Sequence, residues 1–76
     1  MSKILFPNLE AELSRVGLSK PELAKTINIS QSKLYSKFNG SRDFNLGEMR
    51  EIARTLESLS GQKLSLDYLF TKNTEV

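Results

Sequence analysis

Apolar residues recur along this chain at the spacing of an amphipathic α-helix, in five separate stretches. A residue that can cap a helix N-terminus precedes each stretch. Two of these residues, Ser19 and Asn45, are followed three positions later by a glutamate, which is the spacing of a capping box. The pattern contains no repeat, low-complexity tract or interdomain linker. It predicts a single all-helical domain of five short helices, with N-caps at Asn8, Ser19, Ser30, Asn45 and Ser65.

The predicted helices end at residues that tolerate a left-handed backbone. Gly17 ends the first helix, while Asn39–Gly40 and Gly61 end the third and the fourth. Asn28 ends the second helix, because asparagine is the non-glycine residue that adopts positive φ most readily. The sharp turn at this position sends the next residue, Ile29, toward the core.

The inner faces of these helices form the expected core. On the fourth helix, Leu46 and Met49 are placed on one buried stripe with the apolar residues that follow them. The expected core residues are Leu13, Leu23, Ala24, Ile27, Leu34, Phe38, Met49, Ile52, Ala53, Leu56 and Leu69.

The two ends of the chain are expected to lie outside the helices. Residues 1–7 are predicted to form an N-terminal arm and residues 71–76 a flexible tail. The apolar residues 4–6 have two interpretations: they cover the region of residues 69–70, or they form part of a dimer contact. The first interpretation is preferred.

Composition narrows the classes of function. The 76 residues are 38% hydrophobic and 26% charged, as in one folded domain. The chain has no Cys and no His, which excludes disulfides, thiol chemistry, an ordinary zinc site and the usual general base near neutral pH. We therefore expect no enzymatic activity, no cofactor and no small-molecule ligand. No apolar run approaches the ~20 residues of a bilayer span, so no membrane association and a cytoplasmic location are expected.

The charge is concentrated in the middle of the chain. The net charge is +2, but residues 19–42 hold five basic residues and one acidic residue, a balance of +4. Residues 1–18 are neutral overall, and residues 43–76 carry four basic and six acidic residues, a balance of −2. Such a basic segment suits contact with phosphate, although a solvated surface would also tolerate it.

The basic segment coincides with two short helices joined by a tight turn, which is the pattern of a helix-turn-helix over residues 19–40. Its sequence, SKPELAKTINISQSKLYSKFNG, resembles the helix-turn-helix of the Cro and phage-repressor family, which includes lambda repressor. The downstream segments GSRDFNLGEMREIARTL and LSLDYLF resemble that family's fourth and fifth helices. The resemblance covers about residues 8–70 and implies a compact five-helix, lambda repressor-like DNA-binding domain.

The resemblance also bears on individual positions. It places Gln31 at the start of the recognition helix, where a glutamine commonly reads adenine. Two positions depart from the family pattern. Lys37 occupies a position that is more often apolar, where it either loosens the helix or contacts a phosphate. Residues 59–64 form a longer connection than most relatives have, so a family-like dimer surface at that place is not implied.

Helical geometry indicates which residues of the third helix could read bases. With Leu34 and Phe38 pointing inward, the opposite face is polar, and Gln31 projects past the helix end, where it can bond bidentately to adenine. The alternative is an ordinary solvated face. For Tyr35, packing on a sugar or thymine methyl and covering Ile29 are equally compatible with the sequence. The candidate base-reading residues are Gln31, Ser32, Lys33, Tyr35 and Ser36.

Phosphate contacts are expected on either side of the recognition helix. Ser19 and Lys20 lie at the positive end of the second helix, although Ser19 also has a capping role. By resemblance, the loop after the recognition helix lies against the DNA backbone, and for Arg42 a phosphate is preferred over a surface pair with Asp43. The candidate phosphate-contacting residues are Ser19, Lys20, Lys37, Asn39, Ser41 and Arg42.

The sequence therefore predicts a sequence-specific regulator of transcription that binds double-stranded DNA, of the phage or mobile-element type. We expect a repressor that binds a pseudo-palindromic operator as a homodimer, because one recognition helix contacts too few base pairs to select a site alone. One alternative is a protein-interaction module on the same scaffold. Another is a piece of an AraC-like regulator, because ISQSKLYSKF also resembles the reading segment of that family.

Overall fold

Five helices account for most of residues 4–73, the part of the chain that the computed structural model describes. The outermost parts of the predicted arm and tail, residues 1–3 and 74–76, lie outside the described residues. Over the described range the fold is all-helical, as predicted. The helices are α1 (Pro7–Val16), α2 (Lys20–Thr26), α3 (Gln31–Asn39), α4 (Leu46–Ser60) and α5 (Leu66–Leu69).

Local hydrogen bonds begin four of the helices where the sequence predicts. The Ser19 hydroxyl accepts from the Glu22 N–H at 3.2 Å, and the Glu22 carboxylate accepts from the Ser19 N–H at 3.1 Å. Asn45 and Glu48 form the same reciprocal pair at 2.8 and 3.0 Å. Each box satisfies two backbone N–H groups that no helical carbonyl can reach. The remaining two confirmed caps, which act through the side-chain hydroxyl alone, are Ser30 and Ser65.

The start of α1 corrects the prediction that Asn8 is its N-cap. The helix begins one residue earlier, at Pro7, with Phe6 in the N-cap position. Proline suits the first turn because its φ is already helical and its missing N–H would have no partner there. The Asn8 side chain instead donates to the Tyr68 carbonyl at 2.9 Å, which links α1 to α5.

The turn between α2 and α3 depends on Asn28. Its φ is 60°, and no other non-glycine residue among residues 4–73 has a positive φ. This conformation reverses the chain so that the Ile29 N–H reaches the Ala24 carbonyl at 3.0 Å, and Ile29 packs half-buried against the core. The predicted left-handed ends of α1, α3 and α4 are confirmed at Gly17, Gly40 and Gly61.

The core lies between α1, α4 and α5 on one side and the α2–α3 pair on the other. Most of the predicted core residues are buried, but Leu46 is 51% exposed and Met49 is only half-buried. These two residues lie in the first turn of α4, where they line an open groove with Leu66 and Phe70. Six apolar side chains are less than 2% exposed, namely Leu9, Leu23, Leu34, Ile52, Leu56 and Leu69.

A cluster of four phenylalanine rings, Phe6, Phe38, Phe44 and Phe70, completes the core. Phe6 and Phe44 were not among the predicted core residues, yet they are 4% and 9% exposed. The Phe44 ring lies edge-to-face against Phe38, with centroids 5.7 Å apart, and against Phe70 at 5.2 Å. The Phe6 and Phe70 ring centroids are 6.0 Å apart, so Phe6 covers the end of α5. This agrees with the preferred interpretation of residues 4–6, in which they cover the region of residues 69–70.

The described parts of the expected arm and tail contact the domain. Pro7 belongs to α1, Leu5 packs against the core, and Ile4 remains 49% exposed. The Asn73 N–H donates to the Leu5 carbonyl at 2.7 Å, so the segment after α5 lies beside the segment before α1. None of the helices in residues 4–73 has the length and apolar composition that a bilayer crossing requires.

The Asn28 turn leads to a test of stability. We expect Asn28→Ala to lower the free energy of unfolding by about 1–2 kcal/mol, because alanine is disfavoured at positive φ. Asn28→Gly is the matched control, since glycine adopts this φ without strain, and it should change stability by less than about 0.5 kcal/mol. Urea unfolding of the three proteins measures both values. Equal destabilisation by alanine and glycine would contradict the assignment.

Candidate nucleic-acid interface

Packing against α2, together with the turn between the two helices, holds α3 on the surface of the domain in a fixed orientation. Ala24, which is 1% exposed, allows α3 to approach α2 closely, and Leu23 and Leu34 are fully buried. The turn hydrogen bond from Ile29 to the Ala24 carbonyl fixes the entry to α3. The outer face of α3 is therefore displayed by packed elements and not by a mobile loop.

The outer face of α3 is polar, as helical geometry predicts. Gln31, Ser32 and Lys33 are exposed, and their side chains make no hydrogen bond to other residues in the range 4–73. Ser36 is half-buried, and its hydroxyl donates to the Ser32 carbonyl at 3.0 Å. The structure thus brings four of the five candidate base-reading residues onto one surface, with Ser36 the least accessible of these.

Tyr35, the fifth candidate, lies at the side of this face. Its side chain is 45% exposed and lines an open groove of about 350 Å³ with Ile4, Lys20 and Asn39. Ile29 lines a different groove, near the start of α3. Both interpretations of Tyr35, contact with a sugar or thymine methyl and cover of Ile29, stay predictions. The sequence analysis did not connect Ile4 with Tyr35, because no local pattern links the two residues.

The two candidates before α2 have partners within the domain. The Ser19 hydroxyl donates to the Glu22 carboxylate at 2.9 Å as part of the capping box. The backbone hydrogen bond from Ser19, followed by that of its hydroxyl, lowers the pKa of Glu22. The Lys20 Nζ lies 3.1 Å from Glu10 Oε1 and 4.7 Å from the centroid of the Phe38 ring. A phosphate at this place would compete with these contacts.

The loop of residues 40–45 starts from the C-terminal end of α3 and is tied to it through the backbone. Gly40 has a φ of 90°, which turns the chain out of the helix. The Ser41 N–H donates to Asn39 Oδ1 at 2.9 Å, and the Arg42 N–H donates to the Ser36 carbonyl at 3.1 Å. The Asn39 side chain is thus engaged in the loop, while the Ser41 side chain is exposed.

Arg42 is the most available of the candidate phosphate-contacting residues. It is exposed, and no carboxylate within residues 4–73 lies in ion-pairing distance of its guanidinium. The alternative surface pair with Asp43 is therefore not formed. An exposed, unpaired guanidinium beside the outer face of α3 is suited to a phosphate group.

Lys37 corrects a prediction, because its ammonium is directed into the domain. The residue is 9% exposed, and its Nζ donates to Glu48 Oε1 at 2.8 Å and to the Asp43 carbonyl at 3.1 Å. A lysine held in this way is not placed to contact a phosphate. The sequence does contain a signal for this burial, since Lys37 follows the buried Leu34 by three residues and so shares its side of the helix.

Glu48, which the sequence indicated only as half of a capping box, is the partner of Lys37. Burial alone would raise the pKa of Glu48. The hydrogen bond from Lys37 opposes this effect, together with the Asn45 N–H and the positive charges of Lys37 and Lys33, and the pKa lies below its ordinary value. The carboxylate therefore stays charged inside the domain at neutral pH.

Comparison of the chain with protein-family models, curated proteins and solved structures gives no match. The fold defines a small all-helical domain that displays a polar helix face beside an arginine with no ion-pair partner in residues 4–73.

The Glu48 contacts lead to a pH test. Because folding lowers the pKa of Glu48 from its reference value of 4.5, its stabilising contribution is complete above that value and is lost as the pH falls through the folded-state pKa. Glu48→Gln should therefore lose stability relative to the natural chain near neutral pH, and the difference should shrink on acidification. Urea unfolding over a pH series of about 6 to 3 measures it.

Glu51→Gln serves as the matched control, since it removes the same charge from the exposed face of α4. An equal difference between Glu48→Gln and the natural chain at every pH would contradict the role given to the Glu48 carboxylate.

Proposed function

We propose that this chain is a sequence-specific regulator of transcription that binds double-stranded DNA through a helix-turn-helix formed by α2 and α3. The observation that supports it most is the exposed polar face of α3, where the side chains of Gln31, Ser32 and Lys33 make no hydrogen bond within residues 4–73. The resemblance to the Cro and phage-repressor family points to the same function. In this proposal α3 enters the major groove, and occupation of a promoter represses transcription.

Base reading is assigned to the first turns of α3. Gln31 stands at the N-terminal end of the helix, where its amide can bond to adenine N6 and N7. Ser32 and Lys33 lie beside it on the exposed face. Ser36 is assigned a smaller part, because it is half-buried and its hydroxyl already donates to the Ser32 carbonyl.

Contacts with the DNA backbone are assigned to residues at both ends of the helix-turn-helix. Arg42, with Ser41 beside it and Asn39 holding the loop, contacts phosphate after α3. Lys20, at the start of α2, contacts another phosphate and gives up its ion pair with Glu10 to do so. Tyr35 packs on a sugar or thymine methyl between the Arg42 and Lys20 contacts. Lys37 is not part of this set, since its ammonium is bound inside the domain.

The separate roles of Gln31 and Arg42 can be tested by substitution. Gln31→Ala should weaken binding to the selected operator by about 1–3 kcal/mol and leave binding to random duplex nearly unchanged. Arg42→Ala should weaken both alike and lower the slope of log affinity against log salt by about one. Selection from a random duplex library supplies the operator, and titration over a salt series gives the affinities.

Gln62→Ala, at an exposed position in the connection after α4, is the matched control for Gln31→Ala. Equal effects of Gln31→Ala on operator and random duplex would contradict its base-reading role. If the natural chain binds no duplex even at ~50 mM salt, DNA binding is wrong and a protein-interaction module becomes the better proposal.

A homodimer is part of the proposal, because a single recognition helix has too little affinity and selectivity. We assign the dimer contact to the apolar surface around Leu46, which is 51% exposed, together with the half-buried Met49, Leu66 and Phe70. These residues surround an open groove of about 500 Å³ with Asp67 on its rim. In a symmetric dimer each copy would fill the other's groove with Leu46. The surface adjoins the Arg42 loop, so pairing would bring two DNA-contacting loops together.

The dimer surface can be tested by introducing a charge. Leu46→Glu should convert the dimer to a monomer in sedimentation experiments and remove the preference for two half-sites about one turn apart over a single half-site. Leu59→Glu is the matched control, because Leu59 is 54% exposed and lies outside this surface. A natural chain that binds one half-site as tightly as two would contradict the dimer. If Leu59→Glu dissociated the dimer and Leu46→Glu did not, the dimer contact would lie outside the surface around Leu46.

A further inference from the structure

We propose that Lys37 is a positioning residue of the DNA interface, whose buried ammonium fixes the loop of residues 40–45 and so the point at which Arg42 meets a phosphate. This inference rests on the proposed function. It assigns Lys37 an effect on DNA binding that is exerted through Arg42 and not through contact with the duplex.

The first part of the loop is held from α3 by two backbone donors. The Ser41 N–H reaches Asn39 Oδ1 at 2.9 Å, and the Arg42 N–H reaches the Ser36 carbonyl at 3.1 Å. These bonds fix the direction in which the chain leaves α3. They leave open where the chain goes after Arg42.

The second part of the loop is held by Lys37. The Nζ donates to the Asp43 carbonyl at 3.1 Å and to Glu48 Oε1 at 2.8 Å. The same Glu48 oxygen accepts from the Asn45 N–H at 3.0 Å and closes the N-terminal capping box of α4. One ammonium therefore joins the end of α3, the middle of the loop and the start of α4.

Burial makes this arrangement difficult to exchange for a phosphate contact. The side chains of Lys37 and Glu48 are 11% and 15% exposed, and the Nζ lies 5.9 Å from the centroid of the buried Phe44 ring. If Lys37 swung out, the Asp43 carbonyl would lose its donor and the largely buried Glu48 carboxylate would keep only the Asn45 N–H, without the charge that balances it. The ammonium therefore remains in place when DNA binds.

Fixation of the loop favours phosphate binding by Arg42. Its own N–H and the carbonyl of the next residue, Asp43, are both hydrogen-bonded to α3, the second through Lys37. Its side chain is exposed and unpaired among the described residues. A guanidinium on a fixed backbone loses less conformational freedom on meeting a phosphate than one on a mobile loop.

A double-mutant cycle tests the coupling. Duplex affinity is measured for the natural chain, Lys37→Met, Arg42→Ala and the double variant, with methionine chosen because it keeps the buried stem of the lysine without its charge. Lys37→Met should weaken binding at least about fivefold when Arg42 is present and less than about twofold when residue 42 is alanine. An equal weakening in both backgrounds would overturn the inference, since Lys37 would then act independently of Arg42.

Two further variants keep this test interpretable. Lys25→Met removes the same charge from the exposed face of α2, and its effect should not depend on the residue at position 42. If Lys37→Met does not fold, Glu48→Gln replaces it in the cycle, because glutamine still accepts from the Asn45 N–H while losing the ion pair with Lys37. Glu48→Gln should also weaken duplex binding more when residue 42 is arginine than when it is alanine, by a smaller factor than Lys37→Met. An equal weakening in both backgrounds would again overturn the inference.

Hydrogen exchange separates this inference from the proposed function. In Lys37→Met without DNA, the Arg42 amide should exchange at least about tenfold faster, while the Ile29 amide, bonded in the α2–α3 turn, should keep its rate. An unchanged Arg42 rate would show that Lys37 does not hold the loop. If the loop loosens but the natural chain binds no duplex, the proposed function fails while the structural role of Lys37 stands.

Discussion

Four phenylalanine rings pack edge-to-face at one side of the core, and each comes from a different part of the chain. Phe38 comes from α3, Phe44 from the loop after it, Phe6 from the residue before α1, and Phe70 from the end of α5. Such pairs contribute about 0.5–1.5 kcal/mol beyond the burial of their area. Because the Phe38 ring is locked among the others, α3 cannot turn about its axis. The cluster therefore determines which residues of α3 face outward, and the proposed interface depends on it.

Much of the fold was predictable because short-range rules decide it. The capping box at Ser19 and the positive φ of Asn28 depend on neighbouring residues alone, and both were placed correctly. Asn8 was misplaced as a cap because Pro7 itself occupies the first turn of α1, a position that suits proline. The exposure of Leu46 could not be read from helical periodicity, since periodicity gives the side of a helix but not how far the neighbouring helices extend along it.

The candidate site also contains features that local sequence predicts and features that it does not. The exposure of Gln31 follows from the rotation of α3, which its own buried residues fix. The burial of Lys37 depends on Glu48, eleven residues away on another helix, and the surroundings of Tyr35 depend on Ile4, from the opposite end of the chain. Such pairings require the tertiary arrangement. Lys37 was therefore easily assigned to a phosphate contact, whereas its ammonium is bound inside the domain.

The hydrogen bond between the Asn73 N–H and the Leu5 carbonyl brings two distant parts of the chain side by side. All five helices lie between these two residues, so the bond joins the segment before α1 to the segment after α5. A polypeptide joined before α1 and another joined after α5 would leave the domain at the same place. Tension applied between two such attachments would act first on the contacts that join these segments, which include this bond and the packing of Phe6 on Phe70.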